Sequence, residues 1–403
     1  MSNSDDSDVV KVNPRFQSEY NEWKKKCPFF YDFIISHPLP RTSLTVHWST
    51  MTPLAHPQDQ SLALHGLLFN SYYRRTRTSY LSIANAPLPV PTMDDGPNPI
   101  LPKVEVTQNL VLDSRLAMAR FMPQNPNIVA ARTQTTDVYV FDRTKSHANQ
   151  FDPDLKLTGF AHNVHGHGGA GLAWNKLKEG YVLSSNGHTI RCWDVSAEAQ
   201  YSYKVIDLME VYDYFKGTRS LIRDVQWHCK DENVFGSVDD DGHLFIWDLR
   251  TDESRDLVGT HNDFKVQSLS FHPYDEWLLA TATSDATVCL FDMRDLRKKI
   301  YALEGHTEKV SKVEWNPNKG SVLASCGDDR RVIVWDINRI GDEILRGESK
   351  AKRPPGLLFS HEGHKDKVTD FSWNDHEPWV ISSVAKDGTL QVWKLAQSIR
   401  TRR

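Results

Sequence analysis

VIVWD, residues 332–336, is one of six copies of a single phrase. An apolar, often β-branched run ends in an aromatic residue followed by aspartate. The phrase appears as VYVFD (138–142), IRCWD (190–194), LFIWD (244–248), VCLFD (288–292), VIVWD itself and, with lysine in place of aspartate, LQVWK (390–394). The steps between copies are 52, 54, 44, 44 and 58 residues. The shorter steps match the roughly 40–45-residue period of a propeller blade, and the longer ones leave room for loop insertions.

A second phrase precedes the first: FHPYDEWLLATATSD (271–285), WNPNKGSVLASCGDD (315–329) and WNDHEPWVISSVAKD (373–387). Each is an aromatic strand end, a turn rich in Pro, Asn and Asp, and an apolar strand of small residues, which is strand–turn–strand chemistry. Asp241, Asp285, Asp329 and Asp387 each stand six residues before the terminal aromatic, and His261, His306 and His364 each precede an aromatic strand end by nine or ten. A buried His and Asp need partners, so these residues are expected to lock the blade to its turn and its Trp. The six phrases give six blades. A seventh is expected from 43–110, where SLTVHW (43–48), ALHGLLF (63–69) and SYLSIAN (79–85) alternate as strands. The fold class is therefore all-β, a closed seven-bladed WD-repeat propeller, with the N-terminal strand joining either the last blade or the first.

The chain of 403 residues has 12 Trp and 17 His, and the repeats account for much of that excess. Its formal net charge is −4, so local patches decide its electrostatics. The five cysteines (Cys27, Cys192, Cys229, Cys289, Cys326) are scattered without a CxxC pair, which points away from disulfides and structural zinc and toward a reducing compartment, nucleus or cytoplasm. No apolar run reaches the ~18 residues of a membrane span, and MSNSDDSDVV (1–10) lacks the pattern of a secretory signal.

Outside the repeats, 1–13 reads as a disordered acidic N-terminus and 14–36 as a helix with its connection. Phe16, Tyr20 and Trp23 fall at helical spacing, with Pro14 suited to a helix start and Pro28 to a stop, so a helix is expected over 14–26, docked on the side of the propeller. The propeller is expected over 37–399, with a polar loop inserted at 338–356, and 400–403 (RTRR) forms a basic tail. The Pro-rich stretch 86–102 reads as a surface loop.

With these features in place, the chain resembles the retinoblastoma-binding, histone-binding WD-repeat proteins, the small subunits shared by chromatin assembly factor, histone deacetylase, nucleosome-remodelling, Polycomb and type B histone acetyltransferase complexes. The resemblance spans about 16–399 and rests on YNEWKKKCPFFYDFIISHPLPRTSLTVHW (20–48), FMPQNPNIVA (121–130), VFDRTK (140–145), RPPGLLFSHEGH (353–364) and FSWNDHEPWVISSV (371–384). It implies a groove for the first helix of histone H4 between the N-terminal helix and a Pro-Pro loop, an amphipathic helix laid in an apolar slot. Residue by residue, the groove would involve Tyr20, Trp23, Phe29, Phe30 and Phe33 on one side and Lys352, Arg353, Pro354, Pro355, Leu357, Leu358 and Phe359 on the other. The alternative is that these aromatics only dock the helix onto the blade.

The chain departs from the family where charge is concerned. The family's Pro-Pro loop is acidic and pairs with a histone arginine. This loop reads SKAKRPPG (349–356), with Lys350, Lys352 and Arg353. At 40–42, Pro-Arg-Thr stands where the family has Glu-Trp-Pro, and the sequence after the last blade is LAQSIRTRR (395–403) in place of an acidic tail. The residue six before each inner-strand aromatic lies at one mouth of the channel. Before Phe121, Phe271, Trp315 and Trp373 it is Arg115, Lys265, Lys309 and Lys367, whereas before Trp174 and Trp227 it is Gly168 and Leu221, with Arg223 two residues beyond Leu221 and Lys386 near the same turn level. Lys and Arg make up only 48 of the 403 residues, so four basic positions in six are an enrichment. Such a ring is expected to repel the histone H3 tail, which the family's acidic mouth accepts, and to attract acidic or phosphorylated peptides or, more weakly, nucleic-acid phosphates. The bland alternative is a solvated rim.

HNVHGHGG (162–169) places His162, His165 and His167 together, but it lacks a further ligand and reads as a loop, so no metal or cofactor is expected. WDLR, with Trp247, Asp248 and Arg250, resembles the docking box of cullin-type ubiquitin-ligase receptors, a short pattern common in propellers. No nucleophile elbow, phosphate-binding loop or zinc-protease helix is present. KAKRPP (350–355) and RTRR (400–403) carry the charge of nuclear-import signals, or of a plain basic loop and tail. The expectation is a non-catalytic adaptor of a chromatin complex. The competing expectation is a scaffold or substrate receptor in a ubiquitin-ligase or RNA-processing assembly.

Overall fold

The structure is a computed structural model that describes residues 14–90, 103–134, 137–145, 153–158, 171–195, 204–208, 220–251, 256–259, 264–340 and 354–401. Among these residues seven antiparallel sheets form seven blades, each built of four successive strands except the last. From the channel outward, blade 1 holds Val46–Trp48, Leu62–Tyr73, Thr78–Pro89 and Glu105–Leu112, with Leu54–Ala55 paired at its side. Blades 2 to 6 begin at the inner strands Leu116–Phe121, Leu172–Trp174, Ile222–Trp227, Val266–Phe271 and Val310–Trp315. Blade 7 takes Val368–Trp373, Val380–Ala385 and Thr389–Leu395 from the C-terminal end, and its fourth strand, β1 (Tyr31–Pro38), from the N-terminal end. β1 runs antiparallel to Thr389–Leu395 in the register Tyr31↔Leu395 to Pro38↔Thr389. The N-terminal strand therefore joins the last blade, and residues 31–36 belong to the propeller. This pairing closes the ring and protects the edge that Thr389–Leu395 would otherwise expose.

Hydrophobic burial lies between blades. Each apolar cluster draws on two adjacent sheets: Val322, Val334 and Leu358 of blade 6 meet Phe371, Trp373 and Trp393 of blade 7, for example, while Phe33 and Ile35 of β1 meet Val46, Trp48 and Leu67 of blade 1. A fully buried side chain of this size contributes roughly 1.5–3 kcal/mol. Second strands such as Val322–Gly327 and Val380–Ala385 are buried along their whole length because both of their faces are covered, which is why they combine apolar residues with small Ala and Ser.

The inner-strand tryptophans add a polar bond across the same boundaries. Trp48, Trp174, Trp227 and Trp373 each donate Nε1–H to a backbone carbonyl of the preceding blade, at Ser372, Arg120, Ala173 and Glu314, over 3.0–3.1 Å. The expected His–Asp locks form in two blades. His306 Nδ1 lies 2.9 Å from Asp329 and its Nε2 2.8 Å from Ser325 Oγ, which also accepts Trp335 Nε1–H at 2.8 Å. His364 repeats this with Ser383 and Thr389, 3.7 Å from Asp387. In blade 5, Asp285 bonds Thr283 and Thr287, and its expected partner His261 lies outside the described residues. In blade 4 the lock is Asp239, which bonds His243, and not Asp241. Three consecutive aspartates stand there, and only Asp239 ends the buried strand.

The inner strands of blades 2, 4, 5, 6 and 7 each carry a register shift after their first residue, as between Val310 and Lys312 or Val368 and Asp370. Such bulges re-aim side chains. In the channel Asp370 of blade 7 bonds Lys312 of blade 6 at 2.9 Å, Arg120 of blade 2 at 3.1 Å and the Val46 N–H of blade 1 at 3.0 Å. Burial alone would raise its carboxyl, but Arg120 and Lys312 hold it below the usual carboxylate range. Removing one partner of such a group leaves buried charge uncompensated, at a cost of about 3–5 kcal/mol. Asp370→Ala is expected to lower stability by about that amount, measured as a shift in the urea midpoint, whereas an effect below about 1 kcal/mol would mean that solvent in the channel already screens the cluster.

Candidate functional site

Two surfaces gather the residues singled out in the sequence: the edge where the N-terminal helix meets blades 6 and 7, and the mouth of the channel. The helix, α1, spans Pro14–Phe30, longer than expected, with Pro28 inside it. Pro28 lies in the last turn, where it removes only one helical hydrogen bond. Trp23 and Phe30, on either side of it, hold the segment against the blade. Trp23 is buried, and its Nε1–H donates to Tyr31 Oη at 3.0 Å; Tyr31 lies 2.8 Å from His361 Nδ1. An indole can only donate, so the Tyr31 hydroxyl accepts from Trp23, and it donates to His361 in the tautomer whose Nδ1 carries no proton. Burial pulls His361 well below its usual value, which keeps the ring neutral. His361 stacks on Trp393 at 4.4 Å. At the outer end, Arg330 lies over Phe16 at 3.7 Å and pairs with Glu19 at 2.8 Å, and Lys365 lies over Tyr20 at 4.3 Å.

The predicted groove residues divide accordingly. Trp23, Leu358 and Phe359 are buried and dock the helix, and Phe33 is buried in the boundary between blades 7 and 1, away from the helix edge. These four are core residues and not groove lining. Tyr20 is half-buried beside Trp23, with ring centroids 5.3 Å apart. Phe30 is half-buried and meets Phe359 at 5.9 Å, whereas Phe29 is 75% exposed. Pro354, Pro355 and Leu357 are partly exposed. They sit on a turn closed by the Leu357 N–H to Pro354 carbonyl bond, with Gly356 at φ +78°, where a Cβ would meet Ile340 at 3.0 Å. Lys350, Lys352 and Arg353 lie outside the described residues.

Sequence reasoning missed the base of this edge. Cys27, Ile34, Trp379 and Ile399 are half-buried against the same cluster. Ile399 lies on a short helix, Gln397–Arg400, that crosses the expected boundary between propeller (37–399) and basic tail (400–403). Asp32 holds that helix through the Gln397 N–H at 3.1 Å and an ion pair with Arg400, and the Ala396 N–H donates to the Phe30 carbonyl. The signal available was Asp32, a lone acid in an otherwise apolar strand.

At the channel mouth the basic residues are present, but two aspartates stand among them. Arg223 makes a two-pronged ion pair with Asp240, which Lys265 also reaches at 2.9 Å. Asp328 lies 2.6 Å from Lys367 and 4.0 Å from Lys309. Arg115 is exposed and lies over Tyr72 at 5.4 Å. Lys386 is exposed, and its ammonium has no protein partner among the described residues. The expected ring of uncompensated charge is thus partly neutralised. Its acids come from runs of adjacent aspartates, 239–241 and 328–329: one member locks its own blade, and another reaches a lysine of the next.

The remaining motifs resolve into structure or lie beyond it. Trp247 is buried and bonds Ser237 Oγ at 2.9 Å, and Arg250 grips Asp248 at 2.8 Å and Asp231 at 2.9 Å. Arg294 and Asp292 repeat this grip in the next blade, so the pattern closes its own turn. His162, His165 and His167, with His261 and Gly168, lie outside the described residues. Among the described residues no group of three or more potential ligands is placed to hold a metal, and no helix is long and apolar enough to cross a membrane. Asp329, His306 and Ser325 have the order of a hydrolytic triad, but all three are buried and the serine is held by Trp335, so no substrate reaches them.

The fold and the helix packed on its last blade define a WD-repeat propeller with an N-terminal helical wall. WD repeats are matched at 255–292, 297–336 and 356–394. Residues 18–90, which include most of α1, match the family of histone-binding protein RBBP4, a component of the CAF1 complex. The chain is 46% identical over 394 residues to the WD-40 repeat-containing protein MSI3 of Arabidopsis thaliana, covering 95% of this chain and 90% of that protein. The chain belongs to this histone-binding WD-repeat family.

One buried group makes the boundary between blades 4 and 5 sensitive to pH. Burial pushes the Asp224 carboxyl up to about 6, against the hydrogen bonds from Ser268 and the Leu269 N–H that favour its charge. The folded protein holds this proton more tightly than the unfolded chain, whose value is 3.8. Asp224 therefore favours folding most below the unfolded value and loses that contribution as the pH rises through about 6. Asp224→Asn keeps an acceptor for Ser268 and the Leu269 N–H and gives up the oxygen that accepts from the Val225 N–H and, at 3.4 Å, from Gln226. It is expected to be more stable than the native protein at pH 7 and to flatten the stability profile between the two values, as read by urea unfolding across pH. Lower stability at pH 7 would contradict the assignment.

Proposed function

We propose that this protein is a non-catalytic scaffold subunit of a chromatin complex in the nucleus, and that it holds a helical segment of a partner, the first helix of histone H4, along the α1 edge. Family membership supports the class of partner. The observation that carries the site is Phe29, a large apolar side chain 75% exposed at the end of a helix otherwise anchored by Trp23 and Phe30. With Pro354 and Pro355 it offers apolar surface to one face of an amphipathic helix, whereas Leu357 packs toward the boundary of blades 5 and 6. The triad-like residues are sealed in the core, which argues against a hydrolytic role. The channel mouth carries basic residues, which argues against a basic histone H3 tail there.

A peptide of the histone H4 first helix should bind the full chain with micromolar or tighter affinity. Phe29→Asp should weaken it by at least about tenfold without changing the melting temperature, because the side chain is exposed. Absence of binding, or equal binding by the variant, would overturn the helix edge as the histone site.

A further inference from the structure

The mouth of the channel opens into a cavity of about 340 Å³. Its wall includes Arg132 of blade 2, Asn186 of blade 3, Lys309 and Asp328 of blade 6 and Lys367 and Lys386 of blade 7. Arg132 stands apart from the lysines. It is 3% exposed, its Nε has no hydrogen-bond partner, and no carboxylate pairs with it among the described residues. Burial draws its guanidinium down to about 10, which leaves it charged at neutral pH. Asn186 Nδ2, on the same wall, is also buried without an acceptor among the described residues. A buried guanidinium with no counter-charge and an idle Nε–H is costly, and so is a buried amide with idle hydrogens. Here two such donors from neighbouring blades line one cavity, and of the three lysines at its wall Lys309 and Lys367 share a single carboxylate, Asp328, while Lys386 has no partner among the described residues. Four cations against one acid leave an excess that suits a dianion better than a single carboxylate. A phosphomonoester, at about −1.5 to −2 near neutral pH, supplies that charge and three strong acceptor oxygens.

We propose that this cavity is a phosphoryl-binding site that takes a phosphorylated serine or threonine of a partner peptide, with Arg132 and Asn186 as buried donors and Lys309, Lys367 and Lys386 as the basic wall. The site is separate from the α1 edge and depends on the scaffold reading only in that the ligand is held and not turned over. Asp328 already gathers Lys309 and Lys367 at the wall, so bound phosphate draws on cations that are in place before it arrives.

The test is calorimetry on the full chain with three glycine-rich peptides that differ only in phosphoserine, serine or glutamate at the centre, and with inorganic phosphate as a fourth probe. The phosphoserine peptide should bind at least about tenfold tighter than either twin, and inorganic phosphate should compete. Lys386→Met, at an exposed position, should weaken the phosphopeptide severalfold without affecting the fold, and Arg132→Met should abolish its binding. Both variants should bind the histone H4 helix as the native chain does, so failure here and failure at the helix edge are read separately. Equal binding of the three peptides would overturn the proposal, as would undiminished affinity in both variants. Binding of inorganic phosphate without the phosphopeptide would overturn the assignment to a partner side chain. If Arg132→Met does not fold, Lys386→Met and Lys309→Met decide between the same outcomes.

Discussion

The pairing of Tyr31–Pro38 with Thr389–Leu395 is the constraint on which the rest of the structure depends. A propeller buries its apolar residues between blades, so each blade is stable only while both neighbours are in place. The last blade takes its outer strand from the start of the chain and thereby ties the two ends together. The entropy of closing so long a loop rises only slowly with its length. Against that cost stand seven ladder pairs and two apolar clusters, one toward blade 6 and one toward blade 1, that β1 completes. The same strand positions the functional edge. Tyr31 at its start receives Trp23 from the helix and passes a hydrogen bond to His361, and Asp32 beside it secures the C-terminal turn. Closure and construction of the helix edge are one event.

Polar groups in the interior follow the same logic of joining what is distant in sequence. Asp370 links four blades across the channel, and the inner-strand tryptophans bond blade to blade. Where a polar group is paired, as Asp329 is with His306, it locks a turn. Where one is left without a partner, as Arg132 Nε is, it lines a cavity.

The repeat was legible because strand alternation and turn chemistry are local. VIVWD and its copies marked third strands, and the aromatic ends of the second phrase marked first strands, before any contact was known. The resemblance also brought the helix and the Pro-Pro turn to one edge. Long-range pairing was not legible. Nothing local tells whether Tyr31–Pro38 completes blade 7 or begins blade 1, since the strand is apolar either way. The spacing of Phe29, Phe30 and Phe33 suggested one apolar face, but the helix ends between the second and third, and the change to strand period turns Phe33 into a different core. At the channel mouth the lysines were readable by phase, whereas Asp240 and Asp328 belong to turns and become their partners only when neighbouring blades pack. Arg132 was invisible as a site residue, because a basic residue near the end of an apolar strand carries no mark of being unpaired.

Hydrogen exchange of the full chain tests the central claim most directly. The paired amides of Tyr31–Pro38 should be protected at least as well as those of Lys299–Glu304, the outer strand of blade 5, and should open together with Thr389–Leu395. Exchange of Tyr31–Pro38 orders of magnitude faster than that strand, with Thr389–Leu395 still protected, would show that the ring does not depend on this closure and would contradict the account.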